Sequence, residues 1–320
     1  MSTPPEALEF DPELAVVLPK LPIPKDLNVA MLPALRQATA KVANATTAIQ
    51  GQPVRHREVM IDGPEGTVIL SIFEHNVATK KSRPGIFYIH GGGRILGNRF
   101  SGIATVLDWV VNYEAVCVSI EYRLAPEFHG MVAVEECYTG IQWMANNFDF
   151  LGIHPSQLMI AGQSAGGGLA AGVALMARDR GGPALCAQLL MCPQLDDRNS
   201  TVSSAQFLDR GIWNGKDNAL GWRCALGETA SEGEVSPYLA PARATDLTRL
   251  PPAYIDVGSS EVFRDEDVIY AQKLWQCGVQ TELHVWAGGY HVFDQMVPRS
   301  ELARKAVVAR TAWVQKHLYF

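Results

Sequence analysis

Ser164 lies between Gly162 and Gly166 in the stretch Leu158-Met-Ile-Ala-Gly-Gln-Ser-Ala-Gly-Gly-Gly-Leu-Ala-Ala171. The G-x-S-x-G spacing suits a nucleophile carried on a sharp strand-to-helix turn. Strand and helix pass so closely there that a Cβ at 162 or 166 would obstruct them, while the serine hydroxyl projects into open space. A helix beginning at Ala165 aims its free N–H groups and positive dipole end at the same point, where a negative oxygen can be held. His90-Gly-Gly-Gly93 offers more amides, since consecutive glycines let the backbone approach a ligand and present successive N–H groups to it. Glu261 and His291 follow in the chain order nucleophile, acid, base. These types can perform acyl transfer. The serine oxygen attacks, the imidazole takes its proton, the carboxylate orients the imidazole and the amides receive the oxyanion.

Other readings compete for each piece. The G-x-S-x-G pattern is short, and a chain with 28 glycines can match it by chance. Gly166-Gly-Gly-Leu-Ala-Ala171 also satisfies the dinucleotide pattern G-x-G-x-x-A, but its glycines begin after the turn and no ribose-binding acid follows about 20 residues on. Three consecutive glycines at 91–93 can be a plain flexible turn. Glu261 or His291 alone would be an ordinary surface or core residue. Their common position decides, because each follows a separate buried strand.

Those strands belong to a regular alternation. A hairpin is expected over 54–61 and 67–73, with Asp62-Gly-Pro-Glu-Gly-Thr67 between its arms. Apolar strand patterns follow at 86–89, 116–122, 157–162, 186–192, 253–258 and 281–286. Helical patterns occupy 132–146, 165–180, 266–277 and the chain from Glu301. Strands alternating with helices predict an α/β fold with a mostly parallel central sheet, helices on both faces, and its site beyond the carboxyl ends of the strands. Two regions stand outside the rhythm. Residues 1–50 are Pro-rich, break at Leu21-Pro-Ile-Pro and then predict one amphipathic helix over 32–48, while 194–245 lose the alternation.

Composition excludes several classes. At 320 residues with 48% hydrophobic residues, the chain can bury a large core in one α/β domain with an appendage. A net charge of −6 without basic clusters argues against nucleic acid. Met1-Ser-Thr-Pro-Pro-Glu lacks the charged-then-apolar plan of a signal peptide, and no apolar run is long enough to span a bilayer, so a cytoplasmic protein is expected. Six cysteines (117, 137, 186, 192, 224, 277) show no ligand spacing and are expected as free thiols rather than disulfides or metal ligands.

The set His90-Gly-Gly-Gly, Tyr122-Arg-Leu-Ala-Pro-Glu127, Gly162-Gln-Ser-Ala-Gly-Gly167, Arg264-Asp-Glu266 and Gly288-Gly-Tyr-His291 resembles the hormone-sensitive-lipase-like branch (family IV esterases) of the α/β-hydrolases. The likeness runs from about residue 50 to the end. It implies Ser164 as nucleophile, His291 as base and Glu261 at the position of the family's usual Asp. Gly92, Gly93 and Ala165 match its oxyanion donors. It also implies a helical cap over the pocket from residues 1–50 and 196–245, with the hydrolase core in 51–195 and 246–320. The activity implied is hydrolysis of short-chain carboxylic esters through an acyl-enzyme. No metal or organic cofactor is needed, the partner is a small-molecule ester, and a homodimer is left open. Lactones and amides are alternatives on the same triad. A receptor like those for gibberellin would have lost the histidine, which is present here as His291. Departures from the family pattern occur at Arg94, at Phe128-His-Gly-Met131, at Gln163 and at Val292. Arg94, Phe128, Met131, Trp213 and Val292 are therefore the candidate substrate contacts.

Overall fold

In the computed structural model the described residues are 6–77, 82–227 and 235–319. Three short helices come first, α1 (Pro12–Val17), α2 (Leu32–Val42) and α3 (Ala45–Ile49). The single helix expected over 32–48 is thus broken. Extended backbone at Ala43 ends α2, and Asn44 caps α3 by accepting from the Thr47 N–H at 3.1 Å. The hairpin is β1 (Val54–Gly63) and β2 (Gly66–His75).

The alternation then runs β3 (Arg83–Ile89), α4 (Ala104–Tyr113), β4 (Val116–Glu121), α5 (Val132–Asn146), α6 (Phe148–Leu151), β5 (Ile153–Gln163), α7 (Ala165–Arg180) and β6 (Ala187–Met191). The irregular region holds α8 (Val202–Gln206) and α9 (Gly215–Leu226). The last elements are β7 (Ala253–Gly258), α10 (Arg264–Gln276), β8 (Thr281–Trp286), α11 (Phe293–Met296) and α12 (Glu301–Tyr319). Helix α4 was masked in the sequence by its valines, which also suit a strand. Its buried residues Val106, Leu107, Trp109 and Val110 nevertheless fall on one helical face.

All eight strands form one sheet in the order β1-β2-β4-β3-β5-β6-β7-β8. β1 and β2 pair antiparallel, as do β2 and β4; every later pairing is parallel. One face is covered by α5, α7 and α10, with Ile141, Val173 and Leu274 in its core. The other is covered by α4 and α12 through Trp109, Val110, Trp313 and Val314. The strand order reverses around β3. The chain leaves β3 for β4 on one side and returns to β5 on the other, which opens a crevice between the carboxyl ends of β3 and β5. Their register aligns Ile89 with Gly162, so the segments that begin at His90 and Ser164 leave the sheet side by side. No described helix is long and apolar enough to cross a membrane.

Candidate active site

Ser164 occupies the turn between β5 and α7 with φ 56° and ψ −123°. That conformation is costly for a residue bearing a Cβ, and the surroundings impose it. The Ser164 N–H donates to the Met191 carbonyl at 2.8 Å, tying the turn to the end of β6. A Cβ on Gly162 would lie 2.1 Å from the Gly166 carbonyl oxygen, and one on Gly166 would lie 2.1 Å from that of Ile89. Neither position can hold a side chain, which is the steric content of the motif.

The loop after β8 brings His291 to the serine. Its Nε2 lies 2.9 Å from Ser164 Oγ, and its Nδ1 lies 2.6 Å from Glu261 Oε2. Glu261 Oε1 in turn accepts from the Gly258 N–H at 2.9 Å, so the last amide of β7 fixes the carboxylate. None of the three is more than 5% exposed, which strengthens each of these contacts by excluding water. The Phe263 ring meets the imidazole edge-on at 5.1 Å. Beneath the loop, Arg310 donates to Asp294 and to Asp256, each at 2.8 Å, joining α12, α11 and β7 in one buried network.

Four carboxylates, Glu261, Asp265, Glu266 and Asp267, crowd the start of α10, and of these Glu261 is the one hydrogen-bonded to the imidazole. Asp265 stands in the first turn of α10 and accepts from the Ser203 N–H at 2.7 Å, which ties α8 to α10. Glu266 is buried and accepts from the amides of Leu195 and Asp196 at 2.7 and 3.2 Å. Burial holds the Glu266 carboxyl well above its usual range.

The glycine segment after β3 turns back over Ser164. Gly92 (φ 118°) accepts from the Leu96 N–H at 2.8 Å, and Gly93 (φ 62°) packs against the Trp213 ring. His90 anchors the segment from below. Its ring stacks on Tyr122 at 4.3 Å, and the Tyr122 hydroxyl donates to the His90 carbonyl at 2.9 Å. Burial pushes the His90 imidazole below its ordinary pKa. Ala165 is the first residue of α7, so its N–H has no partner within the helix, and Gly92 and Gly93 line the same cavity as Ser164.

These groups open into a cavity of about 370 Å³. Leu21, Ile23 and Leu27 form one wall, so the N-terminal segment, which carries no chemical residues, contributes a face of the pocket. Ile212, Trp213 and Met296 add apolar surface; Gln163, Asp217 and Gln295 add polar groups. The five candidate substrate contacts divide. Trp213 and Val292 line the cavity, whereas Arg94, Phe128 and Met131 stand off its wall. The Arg94 side chain runs the other way, donating to the Leu239 carbonyl at 2.7 Å with its guanidinium 4.3 Å over the Trp222 ring. Burial lowers its pKa to about 10, so it keeps its charge at neutral pH. Phe128 is 39% exposed beneath the Arg123 guanidinium, and Met131 packs against the core. Asp217 and the wall from 21 to 27 were not singled out in the sequence. A carboxylate in the first turn of a helix and a proline-flanked apolar run have ordinary structural uses.

Among the described residues, Cys192, Glu261 and His291 bring ligand-type atoms within 4.8 Å of one another. Both ring nitrogens of His291 are already committed to Glu261 and Ser164. Burial and the nearby Glu261 hold the Cys192 thiol well above its usual range, so it is not the thiolate a metal requires. All six cysteines are free.

Residues 86–295 match the family model described as alpha/beta hydrolase fold. The chain is 34% identical over 257 residues to esterase LipI of Mycobacterium tuberculosis, covering 79% of this chain and 80% of that one. It is 30% identical over 299 residues to carboxylesterase NlhH of the same species, covering 91% of each. The solved structure of a bacterial heroin esterase superposes with a TM-score of 0.90 at 33% identity, covering 97% of this chain and 98% of the other. By likeness that spans nearly the whole chain in both sequence and structure, this protein belongs to the α/β-hydrolases, in their hormone-sensitive-lipase-like esterase branch.

Proposed function

We propose that this carboxylesterase cleaves short-chain esters through a Ser164–His291–Glu261 triad and an acyl-enzyme. The observation that carries the reading is the unbroken relay from the Gly258 amide through Glu261 and His291 to Ser164 Oγ, which opens into a largely apolar cavity. His291 Nε2 takes the serine proton as Oγ attacks the ester carbonyl, and Glu261 at Nδ1 holds the tautomer and stabilises the imidazolium. The amides of Gly92, Gly93 and Ala165 receive the oxyanion. His291 then protonates the departing alcohol. Water, deprotonated by the same imidazole, attacks the acyl-enzyme, and the carboxylic acid leaves.

Residues 1–50 and 196–245 act as the cap. The former supplies Leu21, Ile23 and Leu27 and the latter Ile212, Trp213 and Asp217 to the walls. Capping excludes water, which strengthens the hydrogen bonds to the oxyanion. A cavity of about 370 Å³ favours short acyl chains. The test is steady-state hydrolysis of p-nitrophenyl esters of increasing acyl length. Highest kcat/KM is expected on the short members. Absence of hydrolysis across the panel would overturn the esterase reading, and a preference for long chains would overturn the short-chain assignment.

A further inference from the structure

Asp217 is a buried carboxylate on the wall of the substrate cavity that the acyl-transfer chemistry does not use. It is 6% exposed, and no described lysine or arginine lines that cavity. Its neighbour Lys216 points outward to Asp209 at 3.7 Å, and Asp217 forms no ion pair among the described residues. Burial holds its carboxyl above the usual carboxylate range, opposed by the backbone amide of Asn214 at the start of α9 and by the field of Lys216, so a ligand cation is the charge this wall lacks. A carboxylate has about four lone-pair sites, so a single amide leaves it capacity to accept. The other acid that acts on it, Asp26 on the N-terminal segment, adds negative potential rather than neutralising it. Trp213 lines the same cavity four residues earlier, with its indole Nε1 3.5 Å from Asn218 Oδ1. An aromatic ring and a carboxylate without an ion-pair partner, both buried and lining one cavity, are the two elements that recognise an alkylammonium ion, by cation–π attraction and by charge.

We propose that Asp217, with Trp213, selects esters that carry a cationic amine or quaternary ammonium group. This specificity rests on the esterase reading and adds to it a substrate class. The ammonium head would sit toward Asp217 while the ester carbonyl lies at Ser164. The competing structural role is that of a first-turn helix acid, which favours α9 through its dipole and the Asn214 amide. That role involves no ligand charge and would affect every ester alike.

The discriminating pair is acetylcholine and its neutral carbon isostere, 3,3-dimethylbutyl acetate, followed by acid release in a pH-stat. Wild type is expected to favour the cationic ester in kcat/KM by at least about tenfold, mainly through KM. Asp217→Asn should bring the ratio toward one, and Asp217→Glu should restore part of it. A wild-type ratio near one, or a ratio unchanged in Asp217→Asn, overturns the proposal. Calorimetric binding of tetramethylammonium separates this from failure of the esterase reading. If neither ester is turned over, binding by wild type that is lost in Asp217→Asn still upholds the cation site. Equal binding by the two, or none, removes it.

Discussion

Gly93 and Trp213 meet at the edge of the cavity so closely that a Cβ on the glycine would lie 2.2 Å from the indole Cη2. The contact joins the segment after β3 to the insertion before α9, so the amides beside Ser164 are held in part by the proposed cap. Gly93→Ala must displace either the ring or the loop, at a φ of 62° that alanine also resists. Its kcat should fall by about 10²–10³-fold, the scale of losing one oxyanion donor. Adding Trp213→Ala frees the space and should recover part of the loss. A double variant as slow as the single one would show that backbone strain, not the ring, is responsible.

Ser164→Ala should lose about 10⁶-fold in kcat with the thermal midpoint near wild type. Among the described residues the hydroxyl's hydrogen bond is to the His291 imidazole, and the strained turn is held by backbone bonds that alanine keeps. Retention of a tenth of the wild-type rate would remove Ser164 from the nucleophile's role.

Glu261→Gln and Asp265→Asn should separate chemistry from architecture. An amide at 261 no longer enforces the imidazole tautomer, and kcat should drop by about 10⁴-fold by analogy with a triad acid-to-amide change. Asp265 binds the Ser203 amide, so its change should lower the thermal midpoint by the equivalent of about 1–3 kcal/mol and spare most of kcat. Paired kinetics and melting of both variants decide it. Catalytic collapse at 265 with 261 near wild type would reverse the assignment.

Stability should fall on acidification partly through His90. Burial lowers the pKa of its imidazole in the folded state, opposed by the Coulombic pull of Glu121 and by the Gly91 carbonyl. Below the ordinary imidazole value, near 6.5, the unfolded chain binds a proton that the folded chain refuses. The unfolded state then carries more protons, so stability decreases as pH falls, by up to about 1.4 kcal/mol per pH unit for one such group. His56, also lowered by burial, acts in the same direction. His90→Gln, whatever its effect at neutral pH, should show a smaller drop in thermal midpoint between about pH 7 and pH 5. An undiminished drop would place the acid sensitivity elsewhere.

Much of the site was legible because its constraints are local. Gly162 and Gly166 cannot carry a Cβ at that turn, the buried strands announce themselves by apolar runs, and each reactive residue follows one of them in a fixed chain order. Family resemblance placed the acid at 261, and the Gly258 amide that holds Glu261 lies three residues away. What the sequence could not settle depends on which way a side chain points and what the rest of the chain lays against it. Arg94 follows the glycines proposed to receive the oxyanion, yet its left-handed backbone (φ 64°) and the Trp222 ring accompany a side chain buried away from the pocket. Leu21, Ile23 and Leu27 read as a featureless proline-flanked run until the fold sets them opposite Ser164. Asp217 reads as a first-turn helix acid until the insertion seats it inside the cavity without a cation. Local sterics and periodicity are written in neighbouring residues, whereas these contacts join segments far apart in the chain, and only tertiary packing decides them.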